Sequence, residues 1–279
     1  MAYIVPPTNI DLAPLPLPRG RLLDVVPEWD AGAVRWFADG VTWQPYDYGT
    51  LRRTIVRACS PATHDATPRT CLDYVTALPF ALEDAFATST MNLADGDGSG
   101  MADRWELLRS AAFAAELITG TASGGRSLSS DAAAPTGVPF GSPATTGVNA
   151  LSVMESHFAE VMQGGRGYIH VPPALLPVIE ERLLRVGDHW ETPTGHIVVA
   201  DAGYTDAAAP DGEAASAAGE DWIYGSGPVR WQYRAGVGGG EPYTDISTNE
   251  VLMTLTGYGI LLFEPEPVTA ILVSYASGE

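Results

Sequence analysis

Apolar positions change their period several times along this chain, and each change marks an element. Over residues 101–119, MADRWELLRSAAFAAELIT, the apolar Trp105, Leu108, Ala112, Ala115 and Ile118 recur at three- and four-residue spacing. That spacing predicts a core-facing helix, with Gly120 as its stop. ALSVMESHFAEVMQ repeats the pattern with Leu151, Met154, Phe158 and Met162 on one stripe. PPALLPVIEERLLRVG opens with prolines tolerated in a first turn and carries Leu176, Ile179, Leu183 and Val186, which predicts another helix. GYIHV and TGHIVVADAGY read as short strands, so the unit beginning near Val148 runs helix, strand, helix, strand, as in a small mixed α/β domain.

Strand composition dominates the C-terminal part. WIYGSGPVRWQY, from Trp222 to Tyr233, and GYGILLFEPEPVTAILVSY, from Gly257 to Tyr275, are rich in aromatic and β-branched residues and bounded by Gly and Pro. Pro265 and Pro267 split the second run. An acidic, Ala-rich loop from Thr205 to Asp221 leads into these strands. The α/β unit is therefore expected as an insertion between two parts of another domain, with the closing strands packing beside the helix of residues 101–119.

The N-terminal part obeys neither period. Residues 1 to about 40 hold Pro6, Pro7, Pro14, Pro16, Pro18 and Pro27 among Ile4, Val5, Ile10, Leu12, Leu15, Leu17, Leu22 and Leu23. So many prolines exclude a long helix, and so many apolar residues exclude a solvated tail. Two readings remain: an extended arm lying on another surface, such as another subunit, or an irregular stretch packed on its own domain. From Thr42 to about Phe86, YDYGTLRRTIVRA and TCLDYVTALPFAL flank the turn-rich SPATHDATPR, which predicts a long hairpin. After Gly120, the Gly/Ser/Thr-rich stretch TASGGRSLSSDAAAPTGVPFGSPATTG reads as a long exposed connection.

Charge narrows the functions. The 279 residues carry 34 acidic against 15 basic side chains, a net charge of −19, and every basic residue is Arg. So acidic a surface repels phosphate backbones and argues against sequence-specific nucleic-acid binding. Without Lys there is no Schiff-base chemistry, no Walker-type or kinase-type lysine, and no Lys-to-Asn isopeptide crosslink. Arg52, Arg53, Arg57 and Arg69 put four of the fifteen arginines within eighteen residues of the hairpin, either as a docking element for a neighbour's carboxylates or as a solvated face. Cys59 and Cys71 follow no signal-peptide pattern and are expected as reduced thiols, with a disulfide across the hairpin as the alternative. No apolar run approaches the ~20 residues of a membrane span, so no membrane partner is expected.

Candidate chemistry is sparse. Asp95, Asp97, Ser99, Gly100, Asp103 and Glu106 fit the calcium-loop pattern, with oxygen ligands at alternating positions, a turn glycine and a final Glu. The preceding ATSTMNL is a poor helix and no second copy exists, so a turn entering an acidic helix N-terminus explains the same residues. His170, His189 and His196 share one unit with Asp188, Glu191 and Asp201, but their spacing matches no metal signature and predicts satisfied strand or loop histidines. Gly225-Ser226-Gly227 lacks the nucleophile-elbow pattern and suits a strand bend or bulge. No catalytic, cofactor-binding or metal-binding residues are assigned, no cofactor is expected, and the chain is not read as an enzyme.

Taken together, the layout resembles the major capsid proteins of tailed bacteriophages with the Hong-Kong-97-type fold. Some strings are similar to capsid proteins of phages infecting actinobacteria: Leu78-Pro79-Phe80, Asp103-Arg104 opening a helix that ends in Glu116-Leu-Ile-Thr-Gly120, Gly167-Tyr-Ile-His-Val171, Thr194-Gly195-His-Ile-Val-Val199 with Gly203-Tyr204, and Trp222-Ile-Tyr-Gly-Ser-Gly-Pro-Val229. The resemblance implies an α+β fold. Its parts are an N-terminal arm at 1–40, an extended hairpin (the E-loop) at 41–90, a peripheral domain at 91–145 with its spine helix at 101–119, an axial domain at 146–215, and peripheral return strands at 216–279.

It also implies self-assembly into hexamers and pentamers of an icosahedral head around double-stranded DNA, located in the virion and assembled in the host cytoplasm. Scaffold, portal or decoration proteins are the implied partners, with packaged DNA held without sequence-specific binding. Stability would come from interface burial, arm exchange, Arg-to-carboxylate contacts or a separate decoration protein, and deleting residues 1 to about 30 is expected to prevent assembly while leaving the fold. Other shell or virion roles remain alternatives: a head-to-tail adaptor, a minor head protein or an encapsulin-like shell. A calcium-dependent enzyme is the remaining alternative from a different class.

Overall fold

The computed structural model describes residues 20–29, 36, 40–43, 45, 74–89, 99–135, 145–162, 164–204, 208–235, 243–245 and 250–274. The larger sheet has seven strands in the spatial order β4 (Thr145–Thr146), β13 (Thr269–Ser274), β9 (Glu220–Ser226), β5 (Tyr168–Val171), β8 (Ile197–Ala200), β7 (His189–Glu191) and β6 (Leu184–Val186). The pairs β4–β13 and β5–β8 are parallel and the remaining neighbours antiparallel.

Both faces of this sheet are covered, which explains why its central strands are apolar at successive positions. Ile169, Val171, Val198, Ile223, Ile271 and Val273 face α4 (Gly147–Met162) and α5 (Leu176–Ile179), packing with Leu151, Met154, Phe158 and Ile179. The alternate positions Tyr168, Ile197, Val199, Trp222, Tyr224 and Ala270 join a second core with Phe113, Ala114, Leu117 and Ile118 of α2 (Ser99–Thr119). Leu22 and Leu23 of the short α1 (Leu22–Val25) complete that core.

The smaller sheet is organised by β12 (Glu250–Phe263). One edge of β12 pairs with β3 (Phe80–Ser89); the other pairs with β11 (Tyr243–Asp245) at its start and β10 (Val229–Ala235) at its end. A separate antiparallel pair, β1 (Val41–Trp43) with β2 (Val75–Ala77), joins the points where the chain departs towards and returns from the expected hairpin. Most of that hairpin, including Arg52, Arg53, Arg57, Arg69, Cys59 and Cys71, lies outside the described residues.

The two closing runs form one bent ribbon shared by both sheets. β9 and β13 pair within the seven-stranded sheet, and β10 and β12 pair within the smaller one. At the bend, Ser226-Gly-Pro228 faces the longer Glu264-Pro-Glu-Pro-Val268, with Glu264 N donating to the Pro228 carbonyl at 3.3 Å. Gly225-Ser226-Gly227 is therefore a strand bend, as expected. β10 and β12 lie beside the long helix, whereas β9 and β13 belong to the sheet that also holds β5 and β8.

Helix α2 ends where the sequence places its stop. Gly120 takes a left-handed φ of 60°, its N–H bonds to the Glu116 carbonyl at 2.8 Å, and the Glu116 carboxylate accepts from Ala122 N and Ser123 N, each at 2.9 Å. Two expectations require correction. The helix predicted from Leu176 to Val186 stops at Ile179, continues as a 3-10 turn over Glu180–Arg182, and gives way to the β6–β7 hairpin. Gly187, at φ 61°, with Asp188 forms the two-residue turn that ends any helical continuation. The connection after Gly120 is not exposed throughout: Ser127 caps α3 (Leu128–Asp131) in a reciprocal box with Ser130, and Leu128 is fully buried.

Candidate functional site

Polar groups converge where residues 20–29 cross α2 and both sheets. Asp201, at the end of β8, accepts from Ser110 Oγ at 2.6 Å and Leu22 N at 3.0 Å through one oxygen, and from Gly203 N at 3.2 Å through the other. Gly203 has no side chain because none fits: a Cβ there would lie 2.0 Å from the Ala111 carbonyl oxygen. The buried Arg21 guanidinium forms a two-pronged pair with Asp24 at 2.8 and 2.9 Å, and a carboxylate oxygen of Glu106 lies 3.8 Å away. Burial disfavours the charge on Arg21, but the hydrogen bond to Asp24 together with the negative charges of Asp24, Glu106 and Asp201 raises the pKa.

Further along, Trp29 N donates to the Trp231 carbonyl at 2.6 Å and Trp231 Nε1 donates to the Val26 carbonyl at 2.8 Å. Residues 20–29 are thus an integral strap, and Leu22 is fully buried. Truncation through residue 30 would remove core side chains, so the expectation that such a deletion leaves the fold intact is corrected. No periodic signal in the sequence reveals Ser110 or Asp201 as partners of this strap.

A second polar chain runs through the core beneath β5. His170 Nδ1 lies 2.8 Å from Tyr204 Oη, His170 Nε2 lies 2.9 Å from Ser226 Oγ, and Ser226 Oγ donates to the Gly227 carbonyl at 3.1 Å. These contacts assign one direction: Tyr204 donates to Nδ1, Nε2–H donates to Ser226, and Ser226 donates onward. A nucleophilic serine needs the opposite polarity, with its hydroxyl donating to the histidine. Ser226 is also fully buried, so this Ser–His pair is structural. Burial lowers the His170 pKa to about 3 and pushes the Tyr204 phenol well up, with nearby Asp201 adding to the latter.

The remaining candidates are dispersed. His189 bonds Glu191 at 2.7 Å, and Arg166 also pairs with Glu191. Burial works against the Glu191 charge, yet the His189 hydrogen bond and Arg166 hold its pKa below the usual range. His196 Nδ1 accepts from Gly167 N at 3.1 Å, and burial lowers its pKa. Among the described residues, no group of three or more His, Cys, Asp and Glu side chains converges to hold a metal. Of the calcium-loop pattern, Asp95 and Asp97 lie outside the described residues; from Ser99 the backbone is helical where a loop is required. Glu106 meanwhile pairs with Arg109 at 3.0 Å, which favours the helix reading of that segment.

An open cavity of about 320 Å³ lies between the end of α4 and the Thr192–His196 turn, bordered by Glu155, Phe158, Arg166, Thr194 and His196. Its polar side chains are already engaged: Thr194 Oγ1 donates to Glu155 at 2.7 Å and Arg166 Nε to the Gly195 carbonyl at 2.8 Å. No described helix is long and apolar enough to cross a membrane.

No family model and no curated protein matches the chain. Solved structures do match, over nearly its whole length. The capsid of a native GTA particle has a TM-score of 0.54 at 13% identity, covering 98% of this chain and 96% of that one. The capsid of an empty GTA particle has a TM-score of 0.52 at 12% identity, covering 95% and 100%. Gordonia phage Cozz matches at 0.48 and 11%, covering 98% and 92%. At these identities the likeness is one of fold: the chain has the mixed helix-and-sheet fold of a capsid protein, of the Hong-Kong-97 type.

Proposed function

We propose that this chain is a major capsid protein, assembling into hexamers and pentamers of an icosahedral phage head that encloses double-stranded DNA. The observation that carries the reading is the fold likeness to a particle capsid across 98% of the chain. Within it, residues 1–40 act as an arm rooted in its own subunit by the strap at 20–29, 41–90 as the E-loop, 91–145 as the peripheral domain with the spine helix, 146–215 as the axial domain and 216–279 as the return strands. Strands β9 and β13 complete the axial sheet, because they lie within it between β4 and β5, and β10 with β12 completes the peripheral layer on α2. A net charge of −19 suits a wall that contains DNA without gripping it. The virion is the proposed location, after assembly in the host cytoplasm, with scaffold, portal or decoration proteins as additional partners.

Negative-stain imaging of the purified full chain tests this. Closed shells or free hexamers and pentamers are expected, and removal of residues 1–11, which spares the strap at 20–29, should abolish closed shells while leaving the unfolding midpoint unchanged. Open rings alone would favour a head-to-tail adaptor. A monomer that persists at high concentration would overturn the proposal.

A further inference from the structure

The cavity at the end of α4 is bordered by polar atoms that the fold holds in place without saturating. Its volume, about 320 Å³, lies at the low end of the range for small-ligand pockets, about 300–1,000 Å³. Glu155 and Phe158 reach it from α4, and Thr194 and His196 reach it from the turn between β7 and β8.

His196 supplies the first of these atoms. The residue is only 6% exposed, its ring centre lies 4.8 Å from that of Phe158, and its Nδ1 accepts from Gly167 N at 3.1 Å. A neutral imidazole that accepts on Nδ1 carries its hydrogen on Nε2. Burial favours that neutral ring against the nearby charge of Glu155, and Arg166 acts in the same sense as burial. Among the described residues Nε2 has no hydrogen-bond partner, yet it is not a sealed-in atom, because the ring lines the open cavity.

Glu155 supplies the second. Thr194 Oγ1 donates to Oε1 at 2.7 Å and so orients the carboxylate, while Oε2 has no protein partner among the described residues. A bond on one oxygen does not exhaust a carboxylate, which accepts on both. Arg166 is directed elsewhere, with Nε on the Gly195 carbonyl and a terminal nitrogen on Glu191.

A fixed N–H donor beside a fixed acceptor selects its complement. A carbonyl answers His196, an N–H answers Glu155, and a carboxamide carries both on one neutral planar group. A carboxylate lacks the donor and meets the Glu155 charge; an amidinium lacks the acceptor and meets the His196 N–H. We infer that this cavity is a binding site for a compact neutral carboxamide, held between His196 Nε2–H and the Glu155 carboxylate against the wall formed by the Phe158 and His196 rings. The amide can belong to a free small molecule or to a second copy of this chain, and the recognition is the same. The site is complete within one subunit and does not depend on the assembly reading.

Nitrogen-15 NMR of the unassembled full chain, read at His196 Nε2, tests the site with benzamide, benzoate and benzamidine, which share a ring and differ in the polar group. Benzamide should shift the resonance saturably, and benzoate and benzamidine should bind at least about tenfold more weakly. In Glu155→Ala, with the 168–171 backbone amides as a control for the fold, benzamide should weaken at least about fivefold and lose its advantage over benzoate. No shift with benzamide, or equal affinity for the three probes, would overturn the inference, as would a Glu155→Ala variant that keeps the full preference. A His196 resonance that moves with protein concentration towards its benzamide-bound position, and returns on dilution, assigns the amide to a second copy. A resonance that ignores protein concentration while benzamide still binds assigns the site to a free amide.

Discussion

At the scale of single residues, burial decides what the polar side chains do. His170 is neutral in the fold, with its pKa lowered to about 3, whereas an unfolded histidine titrates near 6.5. The unfolded chain therefore takes up a proton first as the pH falls. This contribution to stability is complete above about pH 6.5 and is lost progressively from there towards about pH 3. Depression of the His196 pKa acts in the same direction. In His170→Gln the amide can still accept from Tyr204 and donate to Ser226 without titrating. Between about pH 7 and about pH 5 the parent should lose about 2 kcal/mol more stability than the variant. Urea unfolding at the two pH values measures this, and equal losses would refute the assignment of His170 as buried and neutral. The sequence pattern was sufficient to read the histidines as structural, because their spacing suits no metal. Their partners were not legible: Ser226 lies 56 residues from His170, and Ser110 lies 91 from Asp201. Short polar residues at such separations carry no periodicity.

At the scale of elements, the helix–ribbon contact shows how glycine can be required in a strand. Phe113 of α2 packs edge-on against Phe80 at 4.9 Å and Trp231 at 5.9 Å between ring centres. Gly259 of β12 makes the space, since a Cβ there would lie 2.5 Å from Phe113 Cζ and 2.6 Å from Phe80 Cζ. Strand propensity alone predicts that Gly259→Ala stabilises. The packing predicts the opposite sign, a loss of about 1–3 kcal/mol, beside about 3–5 kcal/mol for Phe113→Ala. Combined, the two should cost less than their sum, because the truncated ring vacates the space the methyl needs. A double-mutant cycle by urea denaturation checks this, and strict additivity would remove Gly259 from the contact. The long helix was legible because one apolar face meets one core. The run after Leu176 was misread because LLPVIEERLLRV satisfies helical spacing while the decisive information, the Gly187-Asp188 turn, lies at its end. Pro265 and Pro267 marked the break between β12 and β13, but not that one ribbon serves two sheets, since strand composition is the same on either side of the bend.

At the scale of the whole molecule, the charge sets a condition on the proposed assembly. Each copy carries −19, so like copies repel, whereas the arginines can form short contacts with neighbouring carboxylates. These effects differ in range. At about 0.01 M salt the Debye length is about 30 Å, comparable to a domain, and repulsion acts between whole subunits; at about 0.15 M it shrinks to about 8 Å. An ion pair in contact at about 3 Å is screened far less over the same interval, and the apolar burial that drives association is not weakened by this screening. Adding salt from the lower to the higher value should therefore raise the yield of closed particles and lower the concentration at which they form. Light scattering across a salt series at fixed protein concentration measures this directly. A yield that falls steadily from the lowest salt would show that attraction between opposite charges outweighs repulsion between whole subunits. The arginines of the expected hairpin would then be the first positions to neutralise, since their concentration within residues 52–69 makes that segment the most basic stretch of an otherwise acidic chain.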